Sequence, residues 1–414
     1  MRRTTMPNGV QVVTEHMAAA RTCSVGVFAG VGSRHENQTL HGASHFLEHV
    51  LFKGTKRRSA EEISAAVEAV GGELNAYTTK EYTCFYARVL RDDAALAVDV
   101  LSDMISSSLV TTADVDAERA VILDEIAMHA DDPGEVVSEL VSDRVFAGSG
   151  LGQAVIGSPS SIGALTRDQI VRHWRRHYAP GSLVVAAAGH VDHDRLVEQL
   201  ASLDARPTPR GRPRPGSAAT PEPGLVHEHR RVEQTSAVLA YPGVGVFDDR
   251  RYPMGLLSLV VGGGMSSRLF VEVRERRGLT YGIDAGDTSY SDDGLWSVDW
   301  QCAPGKLADI VALVQGTLAE VAEHGVTEAE LIRAQGQMRG QTVISYESPS
   351  SRMSRLGGNT VLGDDRSLAD VLARFDEVST EDVQAEAALL FSRAPVLGLV
   401  GPRVPRAVLK HWTA

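Results

Sequence analysis

An α+β fold of two similar α/β-sandwich domains, a duplicated pair joined by a proline-rich linker, is what this sequence predicts. Three observations carry that expectation. The first half runs from β-branched strands through a block of helices to a late apolar strand. A stretch dense in proline and arginine interrupts the middle of the chain. Beyond it, the pattern of the first half restarts. With 414 residues the chain is also too long for one ordinary core.

Residues 10–13 and 22–31 are rich in β-branched side chains and read as strands, and the second is apolar almost throughout, as suits a central strand. Its glycine-rich end, Ala29 to Ser33, turns the chain toward a helix at 41–52. Ser59-Ala60-Glu61-Glu62 is a capping-box start, and Gly71-Gly72 closes that helix. Residues 73–77 and 82–90 read as a pair of strands. Helices follow at 92–108 and 112–129, and Asp132-Pro133-Gly134 breaks the second. Two more helices at 135–147 and 166–177, a buried strand at 182–189 and a helix to about residue 203 complete the block.

The boundary falls at 205–224. Pro207, Pro209, Pro213, Pro215, Pro221 and Pro223 stand there without apolar periodicity, as in an extended, semi-rigid linker. Its four arginines lack interleaved aromatics and read as solvated charge. The domains are therefore 1–204 and 225–414. At one constant offset Thr22, Val25, Gly30, Val31 and Gly32 recur as Thr235, Val238, Gly243, Val244 and Gly245. Helices follow at 307–323, 327–346, 350–362, 368–375 and 380–390, with a closing strand at 395–400. Gly262-Gly263-Gly264 has no G-K-[ST] or G-x-G-x-x-G context and reads as a helix junction. Trp296 and Trp300 alternate with polar residues in a strand and read as core.

Composition narrows the class. Hydrophobic content of 43% and charged content of 23% are those of a globular protein. The net charge of −12 argues against nucleic acid as a partner and is compatible with cationic peptides. Cys23, Cys84 and Cys302 form neither a C-x-x-C pair nor a disulfide framework, which fits a reducing cytoplasmic location. The opening MRRTTMPNG lacks the apolar run of a signal peptide, and no apolar run is long enough to span a bilayer, so no membrane partner is expected.

The chemistry gathers in HGASHFLEHVLF, residues 41–52. Each helical residue advances about 100°, so His45 and His49 lie about 40° apart and Glu48 about 60° to the other side of His45. Phe46, Leu47, Val50 and Leu51 occupy the opposite arc and can anchor in a core. Two neutral imidazoles one turn apart suit zinc, and a neighbouring carboxylate can take a proton from a water held by the ion. The order is H-x-x-E-H, the reverse of H-E-x-x-H. A solvated or hydrogen-bonded His pair would give the same pattern, and His41, one turn earlier, could extend it to three. A third ligand decides the case, because a catalytic zinc takes three protein ligands and keeps a fourth position open. On the helix at 113–128, Glu118 and Glu125 share one stripe, about 10 Å apart along the axis. Only the fold can bring either to the histidines.

HFLEH followed by LFKGT, then GGELNAYTTKEYT, then ERAVILDEI, together with the opening TTMPNGVQVV and the later RRGLTYG, resembles the pitrilysin-type (M16) zinc metallopeptidases. The resemblance spans nearly the whole chain and is nearest in kind to the half-length group of the mitochondrial processing peptidase β subunit and bacterial processing peptidases. It implies His45, His49 and Glu125 as zinc ligands, Glu48 as the base, and Glu118 as a supporting carboxylate; His41 falls outside the pattern. It implies two similar halves around a closed chamber, with Arg274 and Tyr281 gripping substrate from the far wall. The constant offset sets Ser258, Val261 and Gly262 opposite His45, Glu48 and His49, so the second copy has no metal site.

A zinc endopeptidase is the leading expectation, its peptide or presequence-like substrate added as a strand along Asn75, Ala76 and Tyr77. A non-catalytic peptide-binding or structural homologue is the alternative, and the intact ligand set speaks against it. A zinc hydrolase of another substrate class has the same ligands. Half-length relatives pair their subunits, and this chain carries the zinc motif, its own Arg274 and Tyr281, and no long α-type glycine loop. A homodimer is the resulting expectation.

Overall fold

The structure, a computed structural model, describes residues 1–200 and 217–412. The linker expected at 205–224 lies, as far as residue 216, outside the described residues, and so does the end of the helix expected to reach about 203. Six strands form the first sheet: β1 (Arg2–Thr5), β2 (Gln11–His16), β3 (Thr22–Ala29), β4 (Glu73–Thr78), β5 (Thr83–Leu90) and β6 (Leu183–Gly189). Their order is β1-β2-β6-β3-β5-β4, with only β2 and β6 parallel. The second sheet contains β7 (Gly224–His229), β8 (Thr235–Pro242), β9 (Ile283–Ser289), β10 (Gly294–Cys302) and β11 (Val396–Gly401). Its order is β7-β11-β8-β10-β9, with only β7 and β11 parallel.

Without β1 the two orders are the same. β3 and β8 begin at the repeated Thr22 and Thr235, so a repeat visible in five residues extends to the whole strand order. β3 lies in the sheet interior with seven of its eight residues buried, as its continuous apolar run requires.

Helices cover both faces of each sheet. On one face of the first, Phe46, Leu47 and Leu51 join Ile63, Leu101, Met104 and Ile122 in one core. On the other, Met353 and Leu356 of helix Pro349–Leu362 pack on Phe28, Cys84, Val184 and Ala186. Gly357 makes that approach possible, because a Cβ there would collide with the Phe28 ring. In the second sheet, Trp296 and Trp300 are buried under helices that include Arg251–Val261 and Leu307–His324. Its opposite face takes Val137, Val141 and Val145 of helix Pro133–Val145 against Val238, Ala240, Val396 and Val400.

The compact units are accordingly residues 1–127, 153–200 and 343–365, and residues 128–152, 217–342 and 366–412. Each departs from the expected blocks 1–204 and 225–414 by one exchanged segment. The physical reason is the two-sided apolarity of the central strands: each sheet needs a second helical cover, and sequence order does not dictate its source.

Local signals place most helices to within a residue or two. Ser59, Thr166, Ser367 and Ser379 each make a capping box as N-cap. The sequence reading has no counterpart for β1, β7, β9, helix Pro159–Ala164, the π-helical turn Phe270–Glu275 or helix Arg406–Trp412. Two 3₁₀ turns, Ser33–His35 and Gln38–Leu40, intervene where a direct turn into the next helix was expected. Among the described residues no helix is long and apolar enough to cross a membrane.

Candidate metal centre

Helix Ala43–Leu51 carries HFLEH, its apolar arc Phe46, Leu47, Val50 and Leu51 fully buried. That anchoring turns the polar arc toward helix Thr112–Asp131, whose buried residues Val115, Glu118 and Ile122 form a stripe that Glu125 continues. Both carboxylates on that stripe reach one imidazole. His49 Nδ1 lies 3.0 Å from Glu118 Oε2, and His49 Nε2 lies 3.4 Å from Glu125 Oε2. The other Glu125 oxygen lies 3.7 Å from His45 Nε2, and the His45 and His49 ring centroids are 4.7 Å apart.

His45, His49 and Glu125 offer ligand atoms all within 4.8 Å of one another. Around a tetrahedral zinc with bonds of about 2.0–2.2 Å, donors stand roughly 3.4 Å apart. The His49–Glu125 separation of 3.4 Å meets that value and the His45–Glu125 separation of 3.7 Å lies just above it, so these residues fit the ion. Glu118 completes the arrangement from outside. A carboxylate accepts, so His49 Nδ1 carries the proton and its Nε2 lone pair faces the candidate ligand cluster. Lys53 Nζ holds the second Glu118 oxygen at 2.5 Å.

Glu48 stands beside the cluster but outside it. Its Oε2 accepts from Thr78 Oγ1 at 2.6 Å, at the end of β4. Burial pushes its carboxyl up, with Glu125 adding to the rise, while the Thr78 hydroxyl and His49 pull it down. At the helix start, Glu36 accepts the N–H groups of Gly42 and Ser44, each at 2.6 Å. Burial raises the Glu36 carboxyl to about 7 against the pull of those donors.

The remaining sequence-predicted residues fall in three places. His41 bonds the Ala154 carbonyl at 2.9 Å and takes no part in the cluster. β4 is an edge strand, paired among the described residues only with β5; Asn75 Oδ1 accepts the Ala76 N–H at 2.8 Å, and the Tyr77 ring packs on Tyr82 and Tyr86. In the other unit the Arg274 guanidinium stacks 4.7 Å from the Phe270 ring centroid and 5.3 Å from that of Tyr281, which is 90% exposed. Thr78, Lys53 and Glu36 went unassigned from sequence. Thr78 and Lys53 lie inside the quoted GGELNAYTTKEYT and LFKGT segments, and Glu36 carries no local signal.

Comparison with known proteins agrees with this geometry. Residues 11–158 match the model of insulinase (peptidase family M16), and residues 164–338 match that of the peptidase M16 inactive domain. An uncharacterized zinc protease of Streptomyces coelicolor is 45% identical over 412 residues, covering 97% of this chain and 90% of that protein. The uncharacterized zinc protease YmxG of Bacillus subtilis is 34% identical over 407 residues, covering 97% and 98%. The structure of a peptidase M16 inactive domain from Pseudomonas fluorescens shares the fold with a TM-score of 0.90 at 22% identity, over 97% of this chain and 98% of that one. Matched along both halves by the two M16 models and along nearly its full length by zinc proteases, the chain belongs to peptidase family M16.

Proposed function

We propose that the chain is a zinc-dependent endopeptidase acting on peptides or unfolded, presequence-like segments. The observation that carries this reading is the convergence of His45, His49 and Glu125 beside a carboxylate, Glu48, that is held separately by Thr78. When bound there, zinc supplies Lewis-acid chemistry, activating water near neutral pH and polarising a carbonyl. Thr78 occupies Glu48 Oε2 and leaves Oε1 for proton transfer. The upward shift of the Glu48 carboxyl brings a base closer to the pH at which it can take a proton and later return it to a leaving amine.

β4 provides the binding edge. Among the described residues no strand pairs with its outer side, and the Ala76 N–H, met by Asn75 Oδ1, is a donor that an added peptide strand would take. Arg274 and Tyr281 are proposed to hold substrate through a guanidinium and a phenol kept together by stacking. A homodimer in the cytoplasm, with the acidic surplus favouring basic peptides, completes the proposal.

The test is peptide hydrolysis that a chelator abolishes and zinc restores. A zinc-loaded protein that cleaves no unfolded peptide overturns the peptidase reading. Light scattering at micromolar concentration tests assembly: a mass of one chain with full activity removes the homodimer.

A further inference from the structure

We infer that Glu36 is a positioning residue of the metal centre, capping the HFLEH helix from outside and so setting where His45 and His49 stand relative to Glu125. The inference rests on the zinc reading above. Helices usually begin at a Ser, Thr, Asp or Asn whose side chain takes a first-turn N–H. Here the N-cap is Gly42, at φ +88°, with no side chain to offer. Glu36 fills the role from six residues upstream. It is 5% exposed, and its two oxygens accept from Gly42 N–H and Ser44 N–H, both at 2.6 Å. A carboxylate at this end of a helix is also favoured by the helix dipole.

The rest of the helix start is braced as well. Ser44, directly before His45, bonds His173 Nε2 through its Oγ at 3.0 Å. A Cβ at Gly42 would lie 2.6 Å from Ile162 Cδ1 and 3.0 Å from Gly157 Cα, so the first turn has no room to slide. The helix has only nine residues and carries both histidines. A slip of one residue would rotate them by about 100°. Zinc tolerates departures of only about 0.2 Å in ligand distance, so a loosened helix start reaches the ligand set directly.

The test uses the full chain, stripped of metal and titrated with zinc against a chromogenic chelator, together with the visible spectrum of its cobalt(II) form. Glu36→Gln sets an amide donor against a backbone donor; it is expected to weaken zinc binding about 10–100-fold and alter the cobalt bands. Glu36→Asp keeps the charge one methylene short and is expected to weaken binding less. Ser379→Ala, which removes a capping box in the other unit, is expected to lower stability with both metal readouts as in the parent. A folded Glu36→Gln protein with parental zinc affinity and cobalt spectrum overturns the positioning role. Should that variant not fold, parental readouts in Glu36→Asp overturn it instead. A parent chain that takes up no zinc overturns the metal reading and this inference together.

Discussion

The two sheets share a strand order, yet one unit gathers a ligand cluster where the other packs a core. The constant offset that sets Ser258, Val261 and Gly262 against His45, Glu48 and His49 also sets Leu331 and Met338 against Glu118 and Glu125. Leu331 is buried, and Met338 packs on the same core. Helix Glu328–Ser345 lies beside Arg251–Val261, with Gln337 Nε2 donating to the Gly263 carbonyl at 2.8 Å. Ser258 turns inward, accepting from Trp296 Nε1 at 3.0 Å and bonding Asp287 at 2.8 Å. The comparison teaches that a few polar positions separate a candidate site from packing on one duplicated scaffold. The apolar positions that build the sheet persist, and function sits on the polar ones.

The sharpest way to break the contrast is at Glu48, whose counterpart is Val261. Glu48→Gln is expected to keep zinc and lower peptide turnover about 10²–10⁴-fold, because the amide cannot accept a proton. Metal analysis beside a cleavage assay checks it; full cleavage with zinc present would end Glu48's role. Leu331→Ala probes the opposite side. It is expected to cost about 2–5 kcal/mol in urea unfolding while zinc uptake stays parental. Changed zinc affinity there would deny the separation of roles.

Glu118→Gln is expected to weaken zinc binding about 10–100-fold by replacing the charged acceptor that orients His49 with a neutral amide, read by chelator competition. Parental affinity would reduce Glu118 to a buried partner of Lys53 alone.

The smallest expected effect is on acid stability. Burial lowers His173 to about 3 and His177 to about 4. Below the unfolded value of about 6.5 the unfolded chain takes up protons that these rings refuse, so their contribution is complete above that pH and declines as pH falls toward 4. In the other unit burial raises Glu386 to about 7 and Asp299 to about 6. Their contribution runs the other way, present below the unfolded carboxyl values and lost as pH rises through 6 to 7. Between pH 7 and pH 5 the two sets oppose one another, so the test is the difference: over that range the urea midpoint of His173→Gln is expected to fall less, or rise more, than the parent's. Glu386→Gln is expected to raise the midpoint at pH 8. Parallel curves for parent and His173→Gln would remove the assignment.

The sequence by itself determined what depends on near neighbours. Period and capping placed the HFLEH helix and the helix after Ser59, and the continuous apolar run of 22–31 marked an interior strand. The same period put Glu118 and Glu125 on one stripe, because seven residues close two helical turns. Tertiary structure alone decided what those carboxylates do: Glu125 reaches both Nε2 atoms, and Glu118 reaches His49 Nδ1 and Lys53. It also decided which helix covers each sheet's second face, since any apolar helix of suitable length satisfies the pattern. Glu36 had no periodic signal, because its partners lie across the 3₁₀ turn Gln38–Leu40. Local rules fix what a residue's neighbours along the chain constrain, and these assignments needed partners that only chain folding brings within a few ångströms.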